Sequence, residues 1–122
     1  MKILICEEEE VLLTAIEFRL QKNGFSVIRT NDAQQCVKHL QEDHPDMLII
    51  DLDMSGISGL EMTDKLRKEM NSDIPIILLS DLEDGEELHK AFEFGANDFV
   101  TKPFKPVELV IRIKKLFMPM TA

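Results

Sequence analysis

Short runs of strand-forming residues in this chain each stop on a side chain that carries chemistry. Met47-Leu48-Ile49-Ile50 runs into Asp51. Ile3-Leu4-Ile5-Cys6 runs into Glu7 and Glu8, Ile76-Ile77-Leu78-Leu79 into Ser80, and Phe99-Val100-Thr101 into Lys102. A helix-like pattern lies between one run and the next, and this alternation marks an α/β protein with a parallel sheet. The carboxyl ends of parallel strands lie at one edge. Glu7, Glu8, Asp51, Ser80 and Lys102 are therefore expected to meet there.

The helical stretches have readable ends. The first spans about Glu9 to Asn23, with Leu12, Ala15, Ile16 and Leu20 as its apolar face and Gly24 closing it in the left-handed conformation. A partly alternating strand, Phe25 to Thr30, follows. Asn31 or Asp32 caps the next helix, whose face is Ala33, Val37 and Leu40, and His44-Pro45 stops it. Ser58-Gly59-Leu60-Glu61 and Asp84-Gly85-Glu86-Glu87 match the capping box. The first opens a helix with Met62, Leu66 and Met70 inward. The second opens one with Leu88, Ala91 and Phe92 inward and Gly95 at its end. The fourth strand runs from Ile74 to Leu79 and the fifth from Asp98 to Thr101. Pro106 suits the first turn of a last helix that carries Leu109, Ile113 and Leu116, flanked by Val110 and Phe117.

The first, third and fourth strands are uniformly apolar, as strands covered on both faces are, whereas the second and fifth are mixed, as edges are. With right-handed crossovers this gives a doubly wound five-stranded parallel sheet of order 2-1-3-4-5, the flavodoxin-like (βα)5 arrangement. Ligands in such sheets bind beyond the carboxyl ends at the switch point, here between Glu7/Glu8 and Asp51.

With 122 residues, 44% of them hydrophobic and 30% charged, the chain is sized for one globular domain over residues 1–122. A net charge of −9 argues against diffuse binding to nucleic acid or an anionic membrane. Apolar runs are too short to span a bilayer. The acidic turn after Cys6 does not suit a signal peptide, and Cys6 and Cys36 make no disulfide framework, so the cytoplasm is the expected compartment.

A carboxylate at Asp51 could attack phosphorus and become an acyl phosphate. Negative charge opposes that approach, so a divalent cation is required. Mg²⁺ takes oxygen ligands in near-octahedral geometry. Asp51, an acid from Glu7 and Glu8, and the backbone carbonyl of Asp53 supply such oxygens. Ser80 and Lys102 suit the remaining phosphoryl oxygens, and catalysis would be mostly positioning and charge neutralisation.

At these residues the chain resembles the receiver domain of a two-component response regulator, of the single-domain, chemotaxis-regulator-like kind, over essentially its whole length. The resemblance rests on Glu7-Glu8-Glu9, Ile49-Ile50-Asp51, Met54-Ser55-Gly56-Ile57-Ser58-Gly59 and Leu78-Leu79-Ser80. Its most specific part is Gly95-Ala96-Asn97-Asp98-Phe99-Val100-Thr101-Lys102-Pro103-Phe104. It implies phosphoryl transfer from a phosphohistidine on a sensor histidine kinase, or from a phosphotransfer protein, to Asp51 with Mg²⁺. It also implies a switch in which the Ser80 hydroxyl moves toward the phosphate and the Phe99 ring turns inward. The bond before Pro103 is implied to be cis, and autodephosphorylation to be slow. The output would be a downstream target or self-dimer using the fourth helix, fifth strand and fifth helix, where Arg112, Lys114 and Lys115 form a basic group.

The chain departs from the family pattern at several positions. The acidic pair, usually two aspartates or Glu-Asp, is Glu7-Glu8, and each glutamate reaches about 1.5 Å further. That favours weak Mg²⁺ binding, a displaced ion, or the more forgiving Mn²⁺. Ser55 stands where the family often has proline, Asp81 where it mostly has a small residue, and Lys105 where a capping Ser or Asp is common. Asp53 falls at a position that tunes dephosphorylation, and Asp53 and Asp81 add negative charge at the mouth. A pseudo-receiver that binds proteins without phosphate is the alternative function. The Asp51-Leu52-Asp53 similarity to haloacid-dehalogenase-type phosphatases is a weaker third, because the chain lacks their further segments. His39, His44 and His89 have no metal-ligand spacing.

Overall fold

In the computed structural model, which describes residues 1–81 and 85–117, five strands and five helices alternate. They are β1 (Lys2–Cys6), α1 (Glu10–Lys22), β2 (Ser26–Thr30), α2 (Ala33–Glu42), β3 (Met47–Asp51), α3 (Gly59–Lys68), β4 (Ile76–Ser80), α4 (Gly85–Glu93), β5 (Asp98–Thr101) and α5 (Pro106–Phe117). All strand pairs are parallel and the order is β2-β1-β3-β4-β5, as the sequence pattern requires.

Period-two alternation divides the core into two layers. Leu4, Leu48, Ile50, Ile76 and Leu78 face Cys36 and Leu40 of α2, Met62 and Leu66 of α3, and Ala91 of α4. Ile3, Ile5, Ile49, Ile77, Leu79 and Val100 face Leu13, Ile16 and Leu20 of α1 and Leu109, Val110 and Ile113 of α5. Buried on both sides, β3 and β4 have no position to spare for a polar residue until their last one. The edge strands β2 and β5 are only partly covered.

Two helices and one strand differ from expectation. The buried face of α1 is Leu13, Ile16 and Leu20, and Ala15 is exposed. Apolar residues cover most of this helix's circumference, so spacing does not single out one face. Val11 and Phe18 are left 79% and 63% exposed. In α4, Ala91 is buried, but Phe92 lies at the surface with its ring edge-on to Phe99, the centroids 5.9 Å apart. Strand β4 starts at Ile76 rather than Ile74, which leaves the Ile74 carbonyl to Arg67. Asp84, the first residue of the second capping-box match, lies outside the described residues. The other capping residues act as read: Asp32 accepts from the Gln34 N–H and Ser58 from the Glu61 N–H. Gly24 adopts φ +88° after α1.

Gly59 seats α3 against the acidic strand end. A β-carbon there would lie 2.6 Å from the Asp51 carbonyl oxygen and 2.9 Å from Leu52 Cα, so only glycine fits. Its N–H also donates to the Leu52 carbonyl, at 2.9 Å.

Candidate functional site

The register brings the site together. Cys6 is aligned with Ile50, Asp51 with Leu79, and Ser80 with Thr101. Glu7 therefore leaves β1 beside Asp51, while Ser80 and Lys102 leave the next two strands one step further on. By the two-residue period, Glu7, Asp51 and Lys102 fall on the α1/α5 side of the sheet edge and Ser80 on the other.

Lys102 joins the two acids. Its Nζ donates to Asp51 Oδ2 and lies 3.0 Å from Glu7 Oε2. Asp51 Oδ1 accepts the Asp53 N–H at 2.9 Å, and Glu7 Oε1 accepts the Glu9 N–H at 3.1 Å. Glu7 Oε2 is buried and accepts no hydrogen bond in good geometry. The three side chains are 2%, 10% and 21% exposed for Glu7, Asp51 and Lys102, so their charges interact with little screening. Ser80 is buried, its carbonyl accepts the Lys102 N–H at 2.7 Å, and the Lys102–Pro103 bond is cis.

The two carboxyls are driven apart in acidity. Burial, then the neighbouring Asp51 carboxyl, raises the Glu7 pKa above its ordinary value. Asp51 is also penalised by burial, but hydrogen bonds from Lys102, Glu7 and the Asp53 N–H outweigh it and hold its pKa below the ordinary value. Lys102 loses by burial and gains more from Asp51 and Glu7, so its pKa is raised. Asp51 thus keeps its negative charge most firmly. At the mouth, partial burial, Asp51 and Asp81 raise the Asp53 pKa.

Glu8, also expected as a ligand, accepts the Ser55 N–H at Oε1 and the Ser55 hydroxyl at Oε2, the latter at 3.1 Å. Among the described residues no group of three or more His, Cys, Asp or Glu side chains stands at metal-binding spacing. The side chains that do converge, Glu7 and Asp51, offer hard carboxylate oxygens, and the buried Glu7 Oε2 meets Lys102 only as an ion pair without a well-aligned hydrogen bond, so the pair suits a hard divalent cation.

Arg112 is not a free basic group. It pairs with Asp98 at 2.9 Å and Glu108 at 3.5 Å, while Lys114 and Lys115 are exposed. His39 and His89 pair with Asp43 and Glu93 one helical turn on. Phe99 is half-buried against the α2/α3/α4 core layer. Sequence reasoning missed Arg67, whose guanidinium binds the carbonyls of Ser72, Ile74 and Gly95 and the Asn97 side chain, tying α3 to the loops that lead into β4 and β5. It also missed the Ser55–Glu8 contact. The signal available was a loop serine bearing an N–H that a proline would lack.

Parallel order, acidic switch point and the Asp51–Lys102 pair define a response-regulator class of site. Residues 3–114 match the family model described as the response regulator receiver domain, and the chain belongs to that family. It is a receiver domain of two-component signalling systems, a signalling domain. The chain is 38% identical over 114 residues to the phosphate regulon transcriptional regulatory protein PhoB of Klebsiella pneumoniae, covering 93% of this chain and 50% of that protein. It is 30% identical over 115 residues to the alkaline phosphatase synthesis transcriptional regulatory protein PhoP of Bacillus subtilis, covering 94% and 48%. The chain thus spans about half the length of these curated relatives. Among solved structures, the Francisella response regulator 1452 receiver domain superposes with a TM-score of 0.90 at 27% identity, covering 95% of each chain. The chemotaxis response regulator CheY4 of Vibrio cholerae shares the fold, with a TM-score of 0.88 at 22% identity over 94% of this chain and 97% of that one. Among the described residues no helix is long and apolar enough to cross a membrane.

Proposed function

We propose that residues 1–122 act as a phosphoacceptor domain in the cytoplasm. Asp51 takes a phosphoryl group from the phosphohistidine of a sensor histidine kinase or phosphotransfer protein and then switches a partner surface on α4, β5 and α5. The observation that carries this reading is the buried Asp51 carboxylate, held ionised between Lys102 and the Asp53 N–H at the switch point of the sheet.

In the transfer an Asp51 oxygen attacks phosphorus, the phosphorus–nitrogen bond breaks, and the imidazole departs with the bonding electron pair. Lys102 gives up a carboxylate oxygen and binds a phosphoryl oxygen instead, neutralising its charge. The Ser80 hydroxyl binds another, and its movement carries the change to Phe99. The Asp53 N–H keeps the unreacted Asp51 oxygen in place. Glu7, Asp51 and the Asp53 carbonyl would hold Mg²⁺ or Mn²⁺, which when bound offsets the charge of the carboxylates and the incoming phosphoryl group. The diversion of Glu8 to Ser55 favours a second reading, a pseudo-receiver that binds partners without phosphate.

Incubation with acetyl phosphate, or with beryllium and fluoride, in millimolar Mg²⁺ or Mn²⁺ separates the two. An adduct seen by intact mass or by amide shifts, and abolished by Asp51→Asn, supports the phosphoacceptor. The absence of any adduct under both cations leaves the pseudo-receiver standing.

A further inference from the structure

Glu8 is bound twice by one residue, and that residue lies on the loop of the acceptor. Ser55 follows Asp51 by four positions, and its N–H and hydroxyl each take one oxygen of the Glu8 carboxylate. Glu8 and Ser55 line an open cleft of about 790 Å³ with Asn31, Asp32 and Gln34. Lys102 meets Glu7 and Asp51 instead. Two adjacent glutamates on one loop are thus sorted into different places: Glu7 buried beside the acceptor, Glu8 exposed against the neighbouring loop.

We propose that Ser55 is a positioning residue that withholds Glu8 from the cation held by Glu7 and Asp51, so that metal affinity is set from the β3–α3 loop. This rests on the phosphoacceptor function above. To swing from Ser55 to a metal held by Glu7 and Asp51, the Glu8 carboxylate has to give up the two charge-assisted hydrogen bonds that orient it. Each carboxylate added to an oxygen-ligand site raises its affinity for a divalent cation. With the latch closed, the site uses two acids; with it open, Glu8 has the length and freedom to add a third.

The test is a double-mutant cycle on Mg²⁺ binding alone, read by amide chemical shifts during titration with magnesium chloride. Ser55→Pro removes both donors, since proline has neither N–H nor hydroxyl. It should tighten Mg²⁺ binding at least about tenfold, the low end for releasing one charge-assisted hydrogen bond. Ser55→Ala keeps the N–H and should tighten it by a smaller factor, and it serves if the proline variant fails to fold. In a Glu8→Ala background neither Ser55 substitution should change the affinity. Unchanged or weaker binding in Ser55→Pro overturns the latch, as does tightening that persists without Glu8. The beryllofluoride adduct on Asp51 is measured in parallel. An adduct with a flat Mg²⁺ series refutes the latch alone, whereas the loss of the adduct from the unsubstituted chain refutes the phosphoacceptor reading.

Discussion

Lys102→Met removes the one cation from the Glu7–Asp51 pair and keeps most of the stem's length. The charge contact at 3.0 Å between Lys102 and Glu7 has a gross Coulomb energy of about 5.5 kcal/mol at an effective dielectric near 20. The protein does not lose that much, because Glu7 has an escape: it can take up a proton. From its ordinary pKa of 4.5, neutralising Glu7 at pH 7 costs about (7.0 − 4.5) × 1.36 = 3.4 kcal/mol. That figure is a ceiling on the charge cost at pH 7, and it falls as the solution supplies protons more readily. At pH 5.5 the same expression gives about 1.4 kcal/mol.

The Lys102 contribution has the same sign for both acids, since its ammonium lowers each pKa. For Glu7 it works against the burial that raises the pKa overall, so its loss matters most where Glu7 would be ionised and least as pH falls. Asp51 has a pKa lowered in part by Lys102, and that contribution is present above its ordinary 3.8 and lost on acidification. Removing Lys102 therefore costs most at neutral pH and progressively less toward pH 4. Urea unfolding in EDTA, followed by far-UV circular dichroism because the chain has no tryptophan or tyrosine, should give a loss of up to about 3 kcal/mol at pH 7, falling to about 1 kcal/mol at pH 5.5. The loss should also shrink on adding Mg²⁺, which then meets the two carboxylates without a competing ammonium. A loss below about 1 kcal/mol at pH 7, or one independent of pH between 7 and 5.5, would refute the claim that these charges are buried and coupled.

Two other substitutions test the frame around the site. Arg67→Ala deletes the hydrogen bonds to three carbonyls and Asn97, and should cost about 2–3 kcal/mol in urea unfolding, with Arg67→Lys recovering less than half because an ammonium cannot span the same fork. Gly59→Ala places a β-carbon 2.6 Å from the Asp51 carbonyl oxygen. Backbone rather than a side chain has to move, so a loss of about 2–4 kcal/mol is expected together with amide shifts at Asp51 and Leu52; a neutral result would mean α3 is not seated by Gly59.

Sheet order was readable because the covering of each strand is written in its composition: β3 and β4 are apolar until their last residue, and a misplaced order would bury Arg29 or expose Ile49. Asp51, Ser80 and Lys102 were readable for the same reason, since a polar residue that ends a buried run has only the sheet edge to occupy. The inward face of α1 was not, because Val11, Leu12, Leu13, Ala15, Ile16 and Phe18 leave no polar stripe wide enough to mark the outside. The Glu8–Ser55 contact was not readable because the partner is 47 residues away on another loop, and neither charge nor spacing distinguishes Glu8 from Glu7. Arg67 has the same character: a charged residue near a helix end reads as solvated, yet its partners are carbonyls that become available only when β4 begins late.

The charge balance at the sheet edge ties these observations to function. Lys102 is engaged by Asp51 and Glu7, so the ammonium that would greet a phosphoryl group is already committed, and the acceptor oxygen it holds is a weaker nucleophile for it. Asp53 and Asp81 add acid at the mouth and interact with each other. An incoming phosphoryl group therefore meets more negative charge than one lysine can offset. Under the proposed phosphoacceptor function, a dication held by Glu7 and Asp51 would offset the carboxylate charge that Lys102 now offsets, leaving the Lys102 ammonium for the phosphoryl oxygens. Glu7 is already in place for that exchange, and Glu8 is held in reserve on Ser55. A cation requirement would then follow from the ion pair that stabilises the domain at rest: the tighter Lys102 holds Asp51, the more a phosphoacceptor at Asp51 would depend on metal.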